Sequence, residues 1–280
     1  MFGKLLKYEF KSTSRIMWLL YVGLIGVALL LGLVVRVGDV FDLADVDYSY
    51  SGIFMENEAM SKLLSTVLTF LGIAYFLVLT AMMVITTVMI VLRFYRNLLG
   101  DEGYLMHTLP VSTTKLIVSK LIISLLWMVF AGIATILSAF VFAVSSGFLG
   151  YLIKEGRLLE VIKEVLGMTN WGSVTLVLLS ILVETVGSIL MFYLSMAIGN
   201  MANKNKGIIS VLAYLGISTV LSIVLAVLMV NGGQYLMENI YEAKEFFNTT
   251  SIVSIIMNGI VAVGCFVGTD YILKKKLNLA

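Results

Sequence analysis

Glu184 is the one carboxylate set deep inside an apolar run, ten residues into the stretch 174–197. An ionisable group at such depth in hydrocarbon costs at least about 3 kcal/mol and normally faces a cavity or a protein partner. Two chemistries suit it. It can line a path that attracts a cationic solute or holds a proton, or it can make a structural hydrogen bond to a neighbouring helix, with its carboxyl protonated. No Lys or Arg lies inside an apolar run to pair with it. Thr69, Thr80 and Thr87 are spaced by near-integral helical turns, so they share one face. Their hydroxyls suit either helix packing or a polar track. One histidine, His107, and one cysteine, Cys265, exclude a disulfide framework and any multi-His or multi-Cys metal site on this chain. A clustered nucleophile, base or metal centre is missing, which argues against an enzyme. No G-x-x-x-x-G-K-[ST] phosphate loop occurs either, and the Gly and Lys residues between Gly199 and Gly207 have the wrong spacing.

The elements that must position these residues follow from composition. Of 280 residues, 60% are apolar and 13% charged, against about 45–50% and about 25% in soluble domains. Six apolar runs, 16–35, 66–92, 122–144, 174–197, 208–230 and 252–273, each reach the roughly 20 residues that a helix needs to cross hydrocarbon. Backbone polar groups in lipid must bond within their own segment, so the runs predict six transmembrane helices in a single all-α domain covering 1–280. The first run is too long for a signal-peptide core and stays as an anchor.

Charge sorts the connections. Segments 1–15, 93–121, 198–207 and 274–280 carry thirteen basic residues and three acids, whereas 36–65, 145–173 and 231–251 carry six basic residues and twelve acids. Basic short loops mark the cytoplasmic side, which puts both termini inside and the three acidic segments outside. The outside segments are longer than simple connections need. Residues 149–166 have a helical apolar period and 234–247 a weaker one, consistent with helices on the outer leaflet or in a cap.

Two stretches on the basic side are distinctive. In a helix over about 2–13, Phe2, Leu5, Leu6 and Phe10 share an arc opposite Lys4, Lys7, Lys11 and Arg15. That pattern predicts an amphipathic helix on the inner leaflet, its lysines toward anionic lipid headgroups. Glu9 falls within the apolar arc, and is expected either to face protein, such as an associated subunit, or to snorkel to the surface. The second stretch, 93–121, reads RFYRNLLGDEGYLMHTLPVSTTKLIVSKL. It holds the acid pair Asp101 and Glu102 between Gly100 and Gly103, then the apolar Tyr104, Leu105 and Met106. Pro110 stops that element, and Ser112, Thr113 and Thr114 cap the next helix. Exposed acidic and apolar groups on a short helix between turns suit a docking element, and equally an ordinary interfacial loop.

The opening MFGKLLKYEFKSTSRIMWLLY and the loop FYRNLLGDEGYLMHTLPV resemble permease subunits of bacterial ABC exporters with the type-2 exporter fold. The resemblance implies a six-span half-transporter in the bacterial cytoplasmic membrane, with an interfacial amino-terminal helix. It makes the loop after the second span a coupling helix that seats in a separate ATPase, with contacts at Arg96, Asn97, Asp101, Glu102, Tyr104, Leu105 and Met106. It further implies two permeases, identical or not, and two ATPase subunits that hold the ATP and Mg. The permeases would pair through the first and fifth spans. ATP hydrolysis is then expected in the partner, with no cofactor and no nucleic acid on this chain. The cargo implied is an amphipathic or antimicrobial-type peptide, with lipids or hydrophobic drugs as the alternative. Apart from the resemblance, a secondary transporter is the rival function, disfavoured by the lack of an internal repeat or a proline within the runs.

Smaller features read as packing. Gly264 with Gly268 and Ser195 with Gly199 form small-x-x-x-small pairs, and Asp270 sits one turn before Lys274 as an interfacial ion pair. Cys265 reads as a small core residue.

Overall fold

The computed structural model describes residues 2–40, 58–100, 103, 112–154, 156, 159, 160, 163, 170–202, 204–239 and 243–275. Among these the regular elements are helical: α1 (Phe2–Val40), α2 (Glu58–Phe94) running into a π-helical turn (Tyr95–Leu99), α3 (Thr113–Ser145), the short α4 (Phe148–Lys154), α5 (Trp171–Asn200), α6 (Lys206–Asn239) and α7 (Ala243–Lys275). Six of them are long and apolar enough to span a membrane, over Leu6–Arg36, Thr66–Leu99, Thr113–Ser145, Trp171–Asn200, Lys206–Val224 and Asn248–Lys275. All six expected runs are therefore helices.

The helices outrun the apolar runs that announced them. α1 holds 39 residues, about 58 Å at the usual rise. It passes from 2–13 into the span without a break, so the amphipathic segment forms the first turns of the spanning helix itself. α3 starts at Thr113, nine residues before its apolar run, with the Ser112 carbonyl accepting from the Lys115 and Leu116 amides. α5 starts at Trp171 because the Asn170 side chain caps it, accepting from the Gly172 amide at 3.1 Å. Of the two outer segments expected to be helical, 149–166 contributes α4, and the weaker one is shared between the end of α6 and the start of α7.

Several hydroxyls inside the spans are satisfied within their own helix. Thr80, Thr86, Thr87, Ser195 and Thr269 each donate their hydroxyl to the carbonyl four residues earlier, at 2.7–3.0 Å. A hydroxyl that closes on its own helix carries no unmet bond into lipid.

The residues form two compact units. One comprises Met1–Glu9, Val88–Leu125 and Met168–Ala280. Within it, α5 packs against both α6 and α7, and small residues set the approach. A Cβ on Gly199 would run into the Ser210 hydroxyl and lie 2.7 Å from the Lys206 carbonyl oxygen, and one on Gly268 would lie 3.0 Å from Leu194 Cδ1. The expected packing role of Gly199 and Gly268 is therefore real, whereas Gly264 has nothing within 4 Å of that position. Phe94 stacks on Tyr193 with centroids 3.9 Å apart, and the Tyr193 hydroxyl bonds Ser124 Oγ at 2.8 Å.

The other unit comprises Phe10–Thr87 and Leu126–Gly167. An aromatic cluster centres it. Trp127 stacks on Phe10 at 4.8 Å, Phe130 and Tyr21 lie at 5.8 and 6.4 Å from the indole, and the Tyr21 hydroxyl donates to the Trp127 carbonyl at 3.0 Å. Gly32 lets α1 and α3 touch, since a Cβ there would overlap the Ser145 hydroxyl.

Candidate functional site: a buried ionic cluster at the base of the 100–112 loop

Glu9 is 4% exposed and lies against two cations and an amide. Lys120 Nζ pairs with its Oε1, Asn97 Nδ2 donates to the same oxygen at 3.0 Å, and Arg93 Nε lies 3.4 Å from Oε2. Arg93 Nη1 also donates to the Glu9 backbone carbonyl. Glu9 comes from the second turn of α1, Arg93 from the last turn of α2, Asn97 from the π turn, and Lys120 from the third turn of α3. Three helix ends converge on one carboxylate. A buried charge persists where it is paired and hydrogen-bonded; here Oε1 is hydrogen-bonded, and Oε2 faces Arg93 as an ion pair without a hydrogen bond.

The local chain explains how the partners reach it. In the π turn the Gly100 amide donates to the Tyr95 carbonyl at 2.8 Å. That extra residue per turn widens the helix end. Leu98 and Leu99 are buried there, Asn97 faces Glu9, and Arg96 stays exposed. Gly100 suits this end, since a Cβ would stand 3.1 Å from the Arg96 carbonyl oxygen.

A second polar contact lies in the same unit. Asp270 accepts from Thr113 and Thr114 at 2.9 and 3.2 Å and pairs with Lys274 at 2.5 Å. The expected Asp270–Lys274 pair is present, and it also ties the end of α7 to the first turn of α3.

The sequence-predicted residues fall into three groups. Asn97 joins Glu9, Arg96 does not, and Asp101, Glu102, Tyr104, Leu105 and Met106 lie outside the described residues. In the amino-terminal set, Lys7 and Lys11 are exposed and Leu6 is half-buried. Phe10 is half-buried against Trp127 instead of facing lipid. The side chains of Phe2, Lys4 and Leu5 lie outside the described set. Glu9 faces protein as expected, but that protein is its own chain. In the third group, Glu184 is exposed on α5, and its backbone carbonyl accepts from Ser188 Oγ at 2.7 Å. Thr80 is exposed, Thr87 is half-buried, and both hydroxyls close on α2 itself; Thr69 is exposed and bonded.

Sequence reasoning missed Arg93 and Lys120 as partners of Glu9, having counted them only as loop charge. The signal for Lys120 was available: it is flanked by Leu116, Ile117, Val118, Leu121 and Ile122, where an unpaired ammonium has no place.

Six membrane-length helices, with charge gathered at helix ends and sparse within the spans, define a multi-pass helical membrane protein. Residues 5–200 match the family described as ABC-2 family transporter protein. The match covers more than half of the chain, including the first four spans and the 100–112 loop, and the chain belongs to that family. It is thus a membrane component of a transporter. No curated protein and no solved structure gives a significant match to the chain.

Proposed function

We propose that the chain is the permease subunit of an ATP-driven ABC exporter of the bacterial cytoplasmic membrane. A second permease would complete the translocation path, and two separate ATPase subunits would drive it with ATP and Mg. The observation that carries this reading is the family match over 5–200, which takes in the loop between the second and third spans. Charge supports the orientation, since the segments carrying both termini and that loop hold thirteen of the nineteen basic residues.

On this reading the 93–121 segment couples to the ATPase. Arg96 is exposed at its start, and Asp101, Glu102, Tyr104, Leu105 and Met106 supply the acidic and apolar contact groups. The segment 2–13 lies at the inner membrane surface, where the exposed Lys7 and Lys11 meet anionic headgroups. The exposed, membrane-embedded Glu184 lines the route between the permeases, because a carboxylate in mid-span is not stable against acyl chains. An amphipathic, cationic peptide entering from the inner leaflet fits both the apolar walls and this acid.

The test is retention of an ATP-hydrolysing subunit when the chain is extracted in mild detergent from its own membranes. Asp101→Lys with Glu102→Lys should abolish that retention while leaving the chain folded. Undiminished retention in the double variant would sink the docking assignment.

A further inference from the structure

We infer that Glu9 is the strut that carries displacement of the 100–112 loop into α1. The inference rests on the reading of that loop as the ATPase contact. Its observation is the connectivity of the buried cluster. Arg93 and Asn97 stand on the chain entering the loop, and Lys120 stands on the helix leaving it. All three grip the same residue of α1: Lys120 and Asn97 at Oε1, Arg93 at Oε2 and at the backbone carbonyl. Glu9 therefore closes the base of the loop like a staple, and the loop's two ends cannot shift together without taking α1 along.

The chemistry makes the link stiff. Lys120 and Glu9 have side chains only 3% and 5% exposed, so pulling them apart breaks a charged contact where little water can enter to replace it. Moving the three helix ends as one body avoids that penalty. Apolar side chains of similar volume would hold the helices together but could slide past one another, whereas a carboxylate hydrogen-bonded at Oε1 and ion-paired at Oε2 fixes register. Asp270 lacks this character, since its partner Lys274 is half exposed and can be exchanged for solvent. Because α1 continues unbroken from Glu9 to Val40, motion imposed at its second turn reaches the whole first span.

The experiment uses the chain with its ATPase, reconstituted in lipid vesicles. A polarity-sensitive fluorophore on Leu19→Cys, an exposed α1 position, reports the helix, and the probe ligand is Mg-ATP with vanadate. The native complex should give an emission shift. Glu9→Gln, which keeps shape and removes charge, should reduce that shift roughly fivefold or more while the ATPase stays bound and hydrolyses ATP. Glu9→Asp should keep most of it. Asn97→Ala leaves the Glu9–Lys120 pair to hold the fold, and should lower the shift partially. An undiminished shift in both Glu9→Gln and Asn97→Ala, with the ATPase bound, overturns the inference and leaves the permease reading standing. A native chain that retains no ATPase overturns the permease reading, and the inference falls with it.

Discussion

Removing the Glu9 carboxylate should cost far more stability than removing its closest cation. Glu9 faces both Lys120 and Arg93, and it is the acid through which those two cations meet. Glu9→Met takes away the carboxylate that a Lys 3% exposed and an Arg 18% exposed both face. Breaking a buried pair from one side costs about 3–5 kcal/mol, because the remaining charge loses its counter-charge where water cannot make up the difference. Lys120→Met is milder, since Arg93 at 3.4 Å and Asn97 at 3.0 Å continue to serve the carboxylate. It should cost about 1–3 kcal/mol, nearer the loss of one charged hydrogen bond. The double variant Glu9→Met with Lys120→Met should recover most of the Glu9→Met loss, because the more deeply buried of the two cations is gone and two thioether side chains fill its volume. Reversible unfolding of the purified chain in mixed micelles, followed by circular dichroism, gives all three values in one double-mutant cycle. The reasoning is refuted if Lys120→Met costs as much as Glu9→Met, or if the double variant is less stable than Glu9→Met alone.

Gly199→Ala should destabilise by roughly 1–3 kcal/mol, because its Cβ meets backbone atoms of Lys206 and Ser210, each at 2.7 Å. Gly264→Ala, with nothing inside 4 Å, should leave the thermal midpoint unchanged or raise it, and the pair is read by detergent-phase thermal unfolding. Tyr193→Phe should cost about 1–2 kcal/mol, since it leaves the buried Ser124 hydroxyl without the 2.8 Å bond. Adding Ser124→Ala should then return part of the loss in the same assay. Glu184→Gln should change stability by less than about 0.5 kcal/mol, given its exposure, yet slow ATP-dependent export of a cationic peptide from vesicles; unchanged export takes Glu184 out of the transport route.

Span number was legible because it depends on one property. A run of some twenty apolar residues has no other stable form in a bilayer than a helix, so all six runs formed one. Helix ends were less legible, since they are set by contacts absent from hydropathy. α3 reaches back to Thr113, where Thr113 and Thr114 bond Asp270 from α7, and no local pattern could bring those residues together. The amino-terminal segment shows the same limit. Its helical wheel sets apolar against basic side chains, but a wheel does not say what the apolar arc touches. Phe10 meets Trp127, and Glu9 meets Arg93, Asn97 and Lys120. The anomaly of an acid on an apolar arc was the right clue to follow, because burial of a carboxylate demands a partner. What remained hidden was that the partners came from residues 84 to 111 positions away in the same chain.

The central claim is that this chain transports by coupling to a partner that burns ATP. Its most direct test is ATP hydrolysis measured in vesicles holding the chain alone, the chain with the ATPase subunit it retains, and that pair carrying Asp101→Lys with Glu102→Lys. The account requires no hydrolysis by the chain alone, hydrolysis by the pair that drives movement of a cationic peptide across the membrane, and loss of that movement in the double variant. Peptide movement that persists without any ATPase, or hydrolysis by the chain alone, would contradict it.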